Sequence, residues 1–360
     1  MVQVELADRA LGYGETLPRP YVSGETTESA IAVIRDDLLQ PLLAFRPASF
    51  PDALEGIDAL PIRDKSGRCA AAARAGVELA LLDAYSRHFH RPVSDAVGWL
   101  GLPGLGPPGS TNHIRYSGVL SGGERARLRP SVRKMRWFGL RDFKLKVGYE
   151  DDLQRVETLV KALGRSLGKS TTLRLDANGA WTLEQAIERL EAMAEWPICC
   201  IEQPLDRTRD EDLPVLKGVS PFDIMHDESL ITLEDAERLR ALGVADAFNI
   251  RISKNGGFLP SLRLAHFARK HDILYQLGCM VGETSILSAV GRRFLENVAG
   301  VTFAEGSYGR FLLASDVVER PVQFGCGGRF TSLPDPGWGI EVQRARLEQY
   351  LVGRVIELPL

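Results

Sequence analysis

The chain alternates short segments of strand character with helical segments, and this rhythm constrains the fold more than any other feature of the sequence. From residue 114 onward, each strand candidate is followed by a stretch in which apolar residues recur at helical spacing. Such alternation favours a parallel sheet covered by helices, and eight strand candidates are the number needed for a closed barrel. The candidates are "IRYSGVL" (114–120), "FKLKV" (143–147), "TLRLDAN" (172–178), "ICCIEQP" (198–204), "FDIMHDES" (222–229), "AFNIRISK" (247–254), "LYQLGCM" (274–280) and "VTFAE" (301–305).

The two ends of the chain lack this rhythm, which indicates a second and smaller domain. Residues 1–110 open with a strand and a turn, continue with a long alanine-rich helix and end in the Pro/Gly-rich linker "LGLPGLGPPGS" (100–110). Residues 316–360 are rich in turns. We therefore predict an α/β fold in which a (β/α)8 TIM-type barrel over residues 111–315 carries an α+β capping domain built from both chain ends. The segment 316–360 is expected to return to the capping domain formed by residues 1–110.

Composition and charge narrow the classes of partner. The formal net charge of −3 gives no general attraction to nucleic acid or to an anionic membrane. One stretch, residues 123–141, is strongly basic, and we interpret it as a helix with an arginine-rich outer face, with nucleic-acid binding as the alternative. The N-terminus lacks the features of a signal peptide, and no stretch approaches the ~18–20 apolar residues of a membrane span. We expect a cytoplasmic protein without nucleic-acid or membrane partners.

Acidic residues end three consecutive strand candidates. Asp176, Glu202 and Asp227 close the third, fourth and fifth candidates and are 26 and 25 residues apart, about one strand–helix unit each. Because the carboxyl ends of barrel strands share one rim, the three side chains are expected to converge there. Any one of them alone would be interpreted as a helix cap. Three oxygen donors without cysteine or histidine favour Mg²⁺, or Mn²⁺, and predict a metal site.

Lysines flank the acidic trio on the neighbouring strand candidates. Lys146 ends the second candidate and Lys254 the sixth, so a substrate at the metal would meet one lysine on each face. A metal at this rim stabilises the dianion that forms when a proton α to a carboxylate leaves, and a neutral lysine is a suitable base. Lys144 lies two residues before Lys146 on the same strand face. Its charge is expected to lower the pKa of Lys146 and to help bind a carboxylate, whereas two lysines in solvent are the simpler alternative.

These motifs resemble the enolase superfamily, in particular its muconate lactonizing enzyme subgroup. The resemblance implies that Asp176, Glu202 and Asp227 bind Mg²⁺, and that Lys146 and Lys254 form the acid/base pair with support from Lys144. The mandelate-racemase type would instead place a histidine on the seventh strand, where this chain has none. The motifs are "LGYGET" (11–16), "KLK" (144–146), "DAN" (176–178), "EQP" (202–204), "DES" (227–229) and "NIRISKNGG" (249–257).

The resemblance leaves several reactions open. A lysine on each face makes a racemase or epimerase the most natural outcome, and a muconate-type cycloisomerase or an acid dehydratase would use the same site. A barrel that binds phosphate esters, as an aldolase does, is a further alternative. A non-catalytic barrel that serves in binding or assembly belongs to a different class. The expected partner is a small carboxylate substrate, and we expect a homo-oligomer.

Four further residues are candidates for substrate binding. Arg19 and Tyr21 lie on a loop of the predicted capping domain and are expected to reach over the barrel mouth, unless they are merely exposed to solvent. Dipeptide epimerases of the subgroup carry Asp-x-Asp at the end of the eighth strand, where this chain has "AEGSYGRFLLASD" (304–316). Glu305 is therefore expected either to hold a substrate cation or to form an ion pair at the rim. Cys279, in the seventh strand candidate, is the fourth residue.

Overall fold

The structure is a computed structural model that describes residues 1–103, 105, 114–353 and 355–358. The strands are β1 (Val2–Glu5), β2 (Leu11–Gly14), β3 (Gly118–Leu120), β4 (Asp142–Lys146), β5 (Thr172–Asp176), β6 (Cys200–Glu202), β7 (Asp223–His226), β8 (Ala247–Ile250) and β9 (Leu274–Leu277). The α-helices are α1 (Thr27–Val33), α2 (Leu39–Leu42), α3 (Phe50–Asp58), α4 (Ala71–His88), α5 (Asp95–Leu100), α6 (Leu128–Trp137), α7 (Asp152–Leu163), α8 (Leu183–Ala192), α9 (Leu213–Val219), α10 (Leu233–Ala241), α11 (Phe258–Lys270), α12 (Ser285–Asn297), α13 (Gly309–Leu312) and α14 (Arg344–Gln349).

Strands β3 to β9 form one parallel sheet in which sequence neighbours are also spatial neighbours. The ring closes through Ala304, which bridges Leu277 of β9 on one side and Tyr116, just before β3, on the other. The backbone N–H of Ser117 donates to the carbonyl oxygen of Ala304 at 2.8 Å. The eighth strand candidate, residues 301–305, therefore completes the barrel, and the predicted (β/α)8 fold is confirmed.

Both faces of the barrel strands are buried, as β4 illustrates. Phe143 and Leu145 are fully buried in the main apolar cluster. Lys144, on the opposite face, is only 2% exposed because it points into the barrel. The simpler alternative, in which both lysines are exposed to solvent, is therefore wrong for Lys144.

The N-terminal region combines a β-hairpin with several helices. Strands β1 and β2 pair antiparallel, and β2 packs closely against α4. A Cβ atom at Gly12 would lie 2.2 Å from the carbonyl oxygen of Ala80, and one at Gly14 would lie 2.1 Å from that of Gly76, so glycine is required at this crossing. The predicted strand, turn and long helix are present. Helices α1, α2, α3 and α5 were not anticipated.

The C-terminal segment returns to the N-terminal region, with Asp83 of α4 as the junction. Its carboxylate accepts from the backbone N–H of Tyr13 on β2 and from that of Trp338, both at 3.0 Å. Trp338 is fully buried, and its indole N–H donates to the carbonyl oxygen of Leu79 at 3.1 Å. These contacts support a capping domain built from both ends, although its boundaries at residues 110 and 315 stay a prediction.

Two glutamates of the N-terminal region cap barrel helices. Glu15 accepts from the backbone N–H groups of Thr284 and Leu287 at the start of α12, and Glu78 of α4 accepts from those of Phe258 and Leu259 at the start of α11. Helices α11 and α12 follow β8 and β9, so they begin at the carboxyl-terminal rim of the barrel. The capping region is therefore seated on that rim.

Surface features follow the sequence in part. The basic stretch contains a 3-10 turn (Arg125–Arg127) and α6, whose arginines face solvent while Leu128 and Val132 are buried, as predicted. The predicted linker, residues 100–110, lies mostly outside the described residues. In the part of the chain that the structure describes, no helix is long and apolar enough to cross a membrane.

Candidate active site

Three predicted site residues stand side by side at the carboxyl-terminal rim. Lys146 ends β4, Asp176 ends β5 and Glu202 ends β6. Lys146 is in register with Asp176, and Asp176 is in register with Glu202. Since parallel strands in register bring equivalent residues to one level, Lys146, Asp176 and Glu202 lie at the same level of this rim.

Two further predicted residues lie beyond their strands. Strand β7 ends at His226 and β8 at Ile250, so the expectation that Asp227 and Lys254 end these strands was wrong. After β8 the chain turns, and the N–H of Asn255 donates to the carbonyl oxygen four residues earlier at 2.9 Å. This turn brings Lys254 back to the site, where its Nζ contacts Asp227.

Lys144 lies among three carboxylates. Its Nζ is 2.8 Å from Glu305 Oε2, 3.1 Å from Glu202 Oε2 and 3.3 Å from Asp176 Oδ2. Burial by itself would lower the pKa of this ammonium, but the three carboxylates raise the pKa well above its usual value. Lys144 is thus a fixed positive charge inside the barrel. Its predicted effect on Lys146 stays a prediction.

Arg251 is a second buried cation in the site, and the sequence analysis did not single it out. Its Nη2 contacts Asp227 Oδ2 and lies 3.5 Å from Glu202 Oε1. Asn249, two residues earlier on the same face, donates from Nδ2 to Glu202 Oε1 at 2.6 Å. Both residues lie in the motif "NIRISKNGG", and their spacing of two from each other was the available signal.

Lys254 is completely buried and held by three acceptors. Its Nζ donates to the carbonyl oxygen of Asp227 at 2.6 Å, to Asp227 Oδ1 at 2.9 Å and to the carbonyl oxygen of Asn249 at 2.9 Å. Burial lowers the pKa of Lys254, although the nearby Asp227 charge opposes the shift. The neutral amine of Lys254 therefore forms more easily than that of an exposed lysine.

Lys146 is only half-buried and has a neutral partner. Its Nζ donates to Asn178 Oδ1 at 2.9 Å, and Asn178 Nδ2 donates to Glu228 Oε1 at 3.3 Å. Burial, followed by the charge of Asp227, raises the pKa of Glu228 to about 8. Asn178 and Glu228 belong to the quoted motifs "DAN" and "DES", but the sequence analysis gave neither residue a role.

The carboxylate oxygens of the site have the chemistry that a hard divalent cation requires. Among the described residues, three buried oxygens form no hydrogen bond, namely Asp176 Oδ2, Asp227 Oδ2 and Glu228 Oε2, although the first two lie beside the charges of Lys144 and Arg251. Burial, and then the Glu202 charge, raises the pKa of Asp176 to about 6, as expected where carboxylates crowd together. The donor set therefore fits Mg²⁺.

The geometry around these oxygens is not that of a closed metal cage. Over residues 1–103, 105, 114–353 and 355–358, no group of three or more His, Cys, Asp or Glu side chains is arranged to hold one ion. Lys144 lies between Asp176 and Glu202, and Arg251 lies between Glu202 and Asp227. The predicted ligand set of Asp176, Glu202 and Asp227 consequently stays a prediction.

Glu305 is engaged on both carboxylate oxygens. Oε2 pairs with Lys144, and Oε1 lies 2.8 Å from Arg174 Nη2. Arg174 is fully buried on β5, and its guanidinium lies 4.0 Å from the centre of the Phe303 ring. Of the two expectations for Glu305, these contacts favour the ion pair at the rim over a site for a substrate cation. Arg174, in "TLRLD", was another residue that the sequence analysis missed.

The remaining substrate-binding candidates lie around the loop after β9. Arg19 Nη2 donates to the carbonyl oxygen of Val281 in this loop at 3.5 Å, so it connects the capping region to the rim. Tyr21 is 66% exposed, which matches the alternative of a solvent-exposed loop residue. Cys279 is half-buried and lines a small cavity beside the site. Arg19 and Cys279 therefore lie near the rim, and their roles in substrate binding stay predictions.

Glu283 lies in the wall of the same cavity and was not anticipated. Its Oε2 accepts from the N–H of Met280 at 3.2 Å. Burial, and then the charge of Glu15, raises the pKa of Glu283 to about 8. Two buried carboxyl groups, one from the capping region and one from the barrel, therefore face each other at the rim.

A closed (β/α)8 barrel with a capping region, and with lysines on either side of an acidic trio at the rim, defines a class of barrel enzymes. Residues 127–346 match the family "Enolase C-terminal domain-like". The chain belongs to this family, and it is an isomerase of the enolase superfamily.

Individual relatives agree with this assignment. Muconate cycloisomerase 1 of Pseudomonas putida is 29% identical over 97% of this chain and 89% of the relative. Hydrophobic dipeptide epimerase of Enterococcus faecalis is 29% identical over 79% of this chain and 75% of the relative. The solved structure of muconate lactonizing enzyme from Pseudomonas putida superposes with a TM-score of 0.82 at 29% identity, over 97% of this chain and 93% of that one.

Proposed function

We propose that the protein is a Mg²⁺-dependent racemase or epimerase that removes the proton α to the carboxylate of a small substrate. Lys146 would serve one face of the substrate carbon and Lys254 the other. One lysine removes the proton from Cα as the C–H bond breaks. The other lysine then donates a proton to the opposite face of the same carbon. Lys144 stays positively charged beside the developing enolate.

The order of strands in the barrel carries this proposal. Strands β5, β6 and β7 precede or hold the acidic trio, and β4 and β8 flank them on either side. This strand order supports an arrangement in which Lys146 and Lys254 would approach the space above the trio from opposite directions. A substrate whose carboxylate is held at the trio would have its α carbon between the two amines.

The metal would be held by Asp176, Glu202 and Asp227, whose carboxylate oxygens are suitable donors, and Oδ2 of Asp176 and of Asp227 forms no hydrogen bond within the described residues. When bound, Mg²⁺ supplies positive charge that stabilises the dianion formed from the substrate carboxylate. Arg251 and Lys144 keep the trio in place through the contacts described above.

A cycloisomerase is the second candidate, because the Pseudomonas putida relative of that name matches nearly the whole chain. It would use the same enolate chemistry with only one lysine as the proton donor. An acid dehydratase would also begin with proton removal by one lysine. The number of lysines that exchange protons with substrate therefore separates these reactions from a racemase.

The test is deuterium incorporation at Cα in D₂O, followed by NMR with added Mg²⁺. The panel contains N-acetyl and N-succinyl amino acids and hydroxy acids as separate enantiomers, alanine-containing dipeptides and cis,cis-muconate. We expect the wild-type protein to exchange both enantiomers of its substrate. Lys146→Ala should abolish exchange of one enantiomer and Lys254→Ala exchange of the other, because each lysine serves one face.

Lys161→Ala is the matched control, since Lys161 lies on α7 outside the site and is 71% exposed. It should leave both rates unchanged. Lactone formation from muconate that is abolished in one lysine variant and retained in the other would support the cycloisomerase. Exchange that persists in both variants, or that needs no divalent cation, would contradict the proposal.

A further inference from the structure

The two lysines of the site are held in different ways. Lys254 is buried and donates to three acceptors, whereas Lys146 is half-buried and depends on Asn178. Among the described residues, Asn178 is the one side chain within hydrogen-bonding distance of Lys146 Nζ. A lysine side chain with several rotatable bonds needs such a contact to keep its nitrogen at one place. Loss of Asn178 would therefore release Lys146 and leave Lys254 fixed.

The orientation of the Asn178 amide is determined by its neighbours. Its oxygen faces the Lys146 nitrogen at 2.9 Å, and its nitrogen faces Glu228 Oε1 at 3.3 Å. When Lys146 is an ammonium, the flipped amide would bring an NH₂ group against a group that can only donate. Glu228 thus holds the amide with its acceptor turned toward Lys146.

The backbone at Asn178 does not by itself explain the residue type. Its φ of 45° lies in the left-handed region, where glycine is free of strain and asparagine is tolerated. The loop is held by the N–H of Asn178 to Asp176 Oδ1 at 3.1 Å and by the N–H of Gly179 to the Gln203 carbonyl oxygen at 2.7 Å. Glycine would also suit this backbone, so the two hydrogen bonds of the amide are what distinguish asparagine at this position. Strain that persists next to a reactive group is common at functional sites.

We propose that Asn178 is a positioning residue, which orients the nitrogen of Lys146 for proton transfer on one face of the substrate. This inference rests on the proposed function. The amide oxygen accepts an N–H from either the amine or the ammonium form. When Lys146 is an amine, that hydrogen bond turns the nitrogen lone pair away from Asn178 and leaves it free for the proton at Cα. The C–H bond then breaks, a third N–H bond forms, and the electron pair moves into the substrate carboxylate.

A carboxylate in place of the amide would act differently. It would pair with the charged ammonium and hold the proton on Nζ. Asn178→Asp keeps the shape of the side chain and changes this chemistry. Asn178→Gly keeps the backbone conformation and removes the amide.

The matched control is Arg9→Gly. Arg9 is exposed in the turn between β1 and β2 and has a φ of 68°, so glycine relieves the same kind of backbone conformation far from the site. Exchange at Cα is measured separately for each enantiomer of the panel compound that reacts fastest with wild-type protein. The enantiomer assigned to Lys146 is the one whose exchange Lys146→Ala abolishes.

We expect both Asn178 variants to slow exchange of the Lys146 enantiomer by about 10- to 100-fold through kcat, with the other enantiomer changed less than about threefold. Arg9→Gly should change neither rate. Equal losses for both enantiomers would assign Asn178 a general structural role and overturn the proposal, and so would an absence of any loss.

A second measurement decides the inference even if no panel compound reacts and the proposed function fails. Acetylation of Lys146 by acetic anhydride is followed by mass spectrometry, with the exposed Lys161 as the internal reference. Release from Asn178 should increase labelling of Lys146 several-fold in Asn178→Gly and leave it unchanged in Arg9→Gly. Unchanged labelling in Asn178→Gly would overturn the proposal.

Discussion

The carboxyl group of Glu283 shows what burial does to a single residue at this rim. It is 9% exposed, it faces Glu15 of the capping region, and its pKa is raised to about 8. Because an unfolded glutamate loses its proton near pH 4.5, the native state retains a proton between about pH 4.5 and 8 that the unfolded state has released. The contribution of Glu283 to stability is therefore complete below about pH 4.5 and is lost as the pH rises through 8.

Glu283→Gln should remove this dependence. We expect the free energy of unfolding of the wild-type protein to fall more steeply with pH than that of the variant, by up to about 1.4 kcal/mol per pH unit in this window. Urea unfolding at several values between pH 5 and 8.5 measures the difference. Glu55→Gln, at an exposed position of α3, is the control and should keep the wild-type slope. Identical slopes in Glu283→Gln and wild type would show that Glu283 is ionised throughout.

At the scale of elements, the capping region is attached to the barrel through helix ends. Helix α11 starts after Gly257, which has no side chain to cap it and a φ of 119°. Glu78 of α4 supplies the missing acceptor, and a Cβ atom at position 257 would lie 1.6 Å from Glu78 Oε2. The same glutamate lies 3.4 Å from Arg74, which donates to the carbonyl oxygen of Gly256. One buried carboxylate thus joins two helices from different regions.

Glu78→Ala should therefore destabilise the protein strongly. The substitution leaves two N–H groups of α11 without an acceptor and the Arg74 charge without its carboxylate. We expect the free energy of unfolding to fall by roughly 3–5 kcal/mol. Glu78→Gln retains one acceptor oxygen and should lose less. Urea denaturation with Glu55→Ala as an exposed control, expected within about 0.5 kcal/mol of wild type, measures these differences. A loss below about 1 kcal/mol in Glu78→Ala would mean that α11 does not depend on this cap.

The barrel elements were predictable from sequence because each strand–helix unit repeats the same hydrophobic pattern. Strands β4 to β9 all start within two residues of their predicted starts, whereas the candidate segments run one to four residues past the observed strand ends. The pattern does not mark the point where a strand leaves the sheet for a turn, as it does before Lys254. The small helices of the N-terminal region were missed because α1 and α2 are short and carry no long apolar stripe of their own.

The chemistry of the site was predictable only where neighbouring strands contribute equivalent residues. Lys146, Asp176 and Glu202 are in register, so their spacing in sequence reports their proximity. Arg174 and Glu305 are paired across 131 positions, and nothing in a single strand indicates which charge lies opposite inside a closed barrel. The partners of such buried cations can be identified only from the structure of the closed barrel.

For the whole molecule, the crowded carboxylates at the rim should make stability depend on divalent cations. A ligand that binds only the folded protein stabilises it by an amount that grows with concentration, about 2.7 kcal/mol at one hundred times its Kd. We expect MgCl₂ to raise the melting temperature by a few degrees and NaCl of equal ionic strength to have no such effect. Asp227→Asn should lose most of the Mg²⁺ response. An equal response in that variant would show that Mg²⁺ binds elsewhere.

The pairing of Glu305 with Lys144 and Arg174 has a consequence for how such proteins change over evolutionary time. A mutation that removes one partner leaves a buried charge uncompensated, so single exchanges at these positions are expected to be rare. Positions 174 and 305 should therefore covary among relatives, with an uncharged residue at one accompanied by an uncharged residue at the other. An alignment in which position 174 loses its charge while position 305 stays acidic would contradict this expectation. Change at position 305 would then require a paired substitution across the barrel, not a single exchange on its eighth strand.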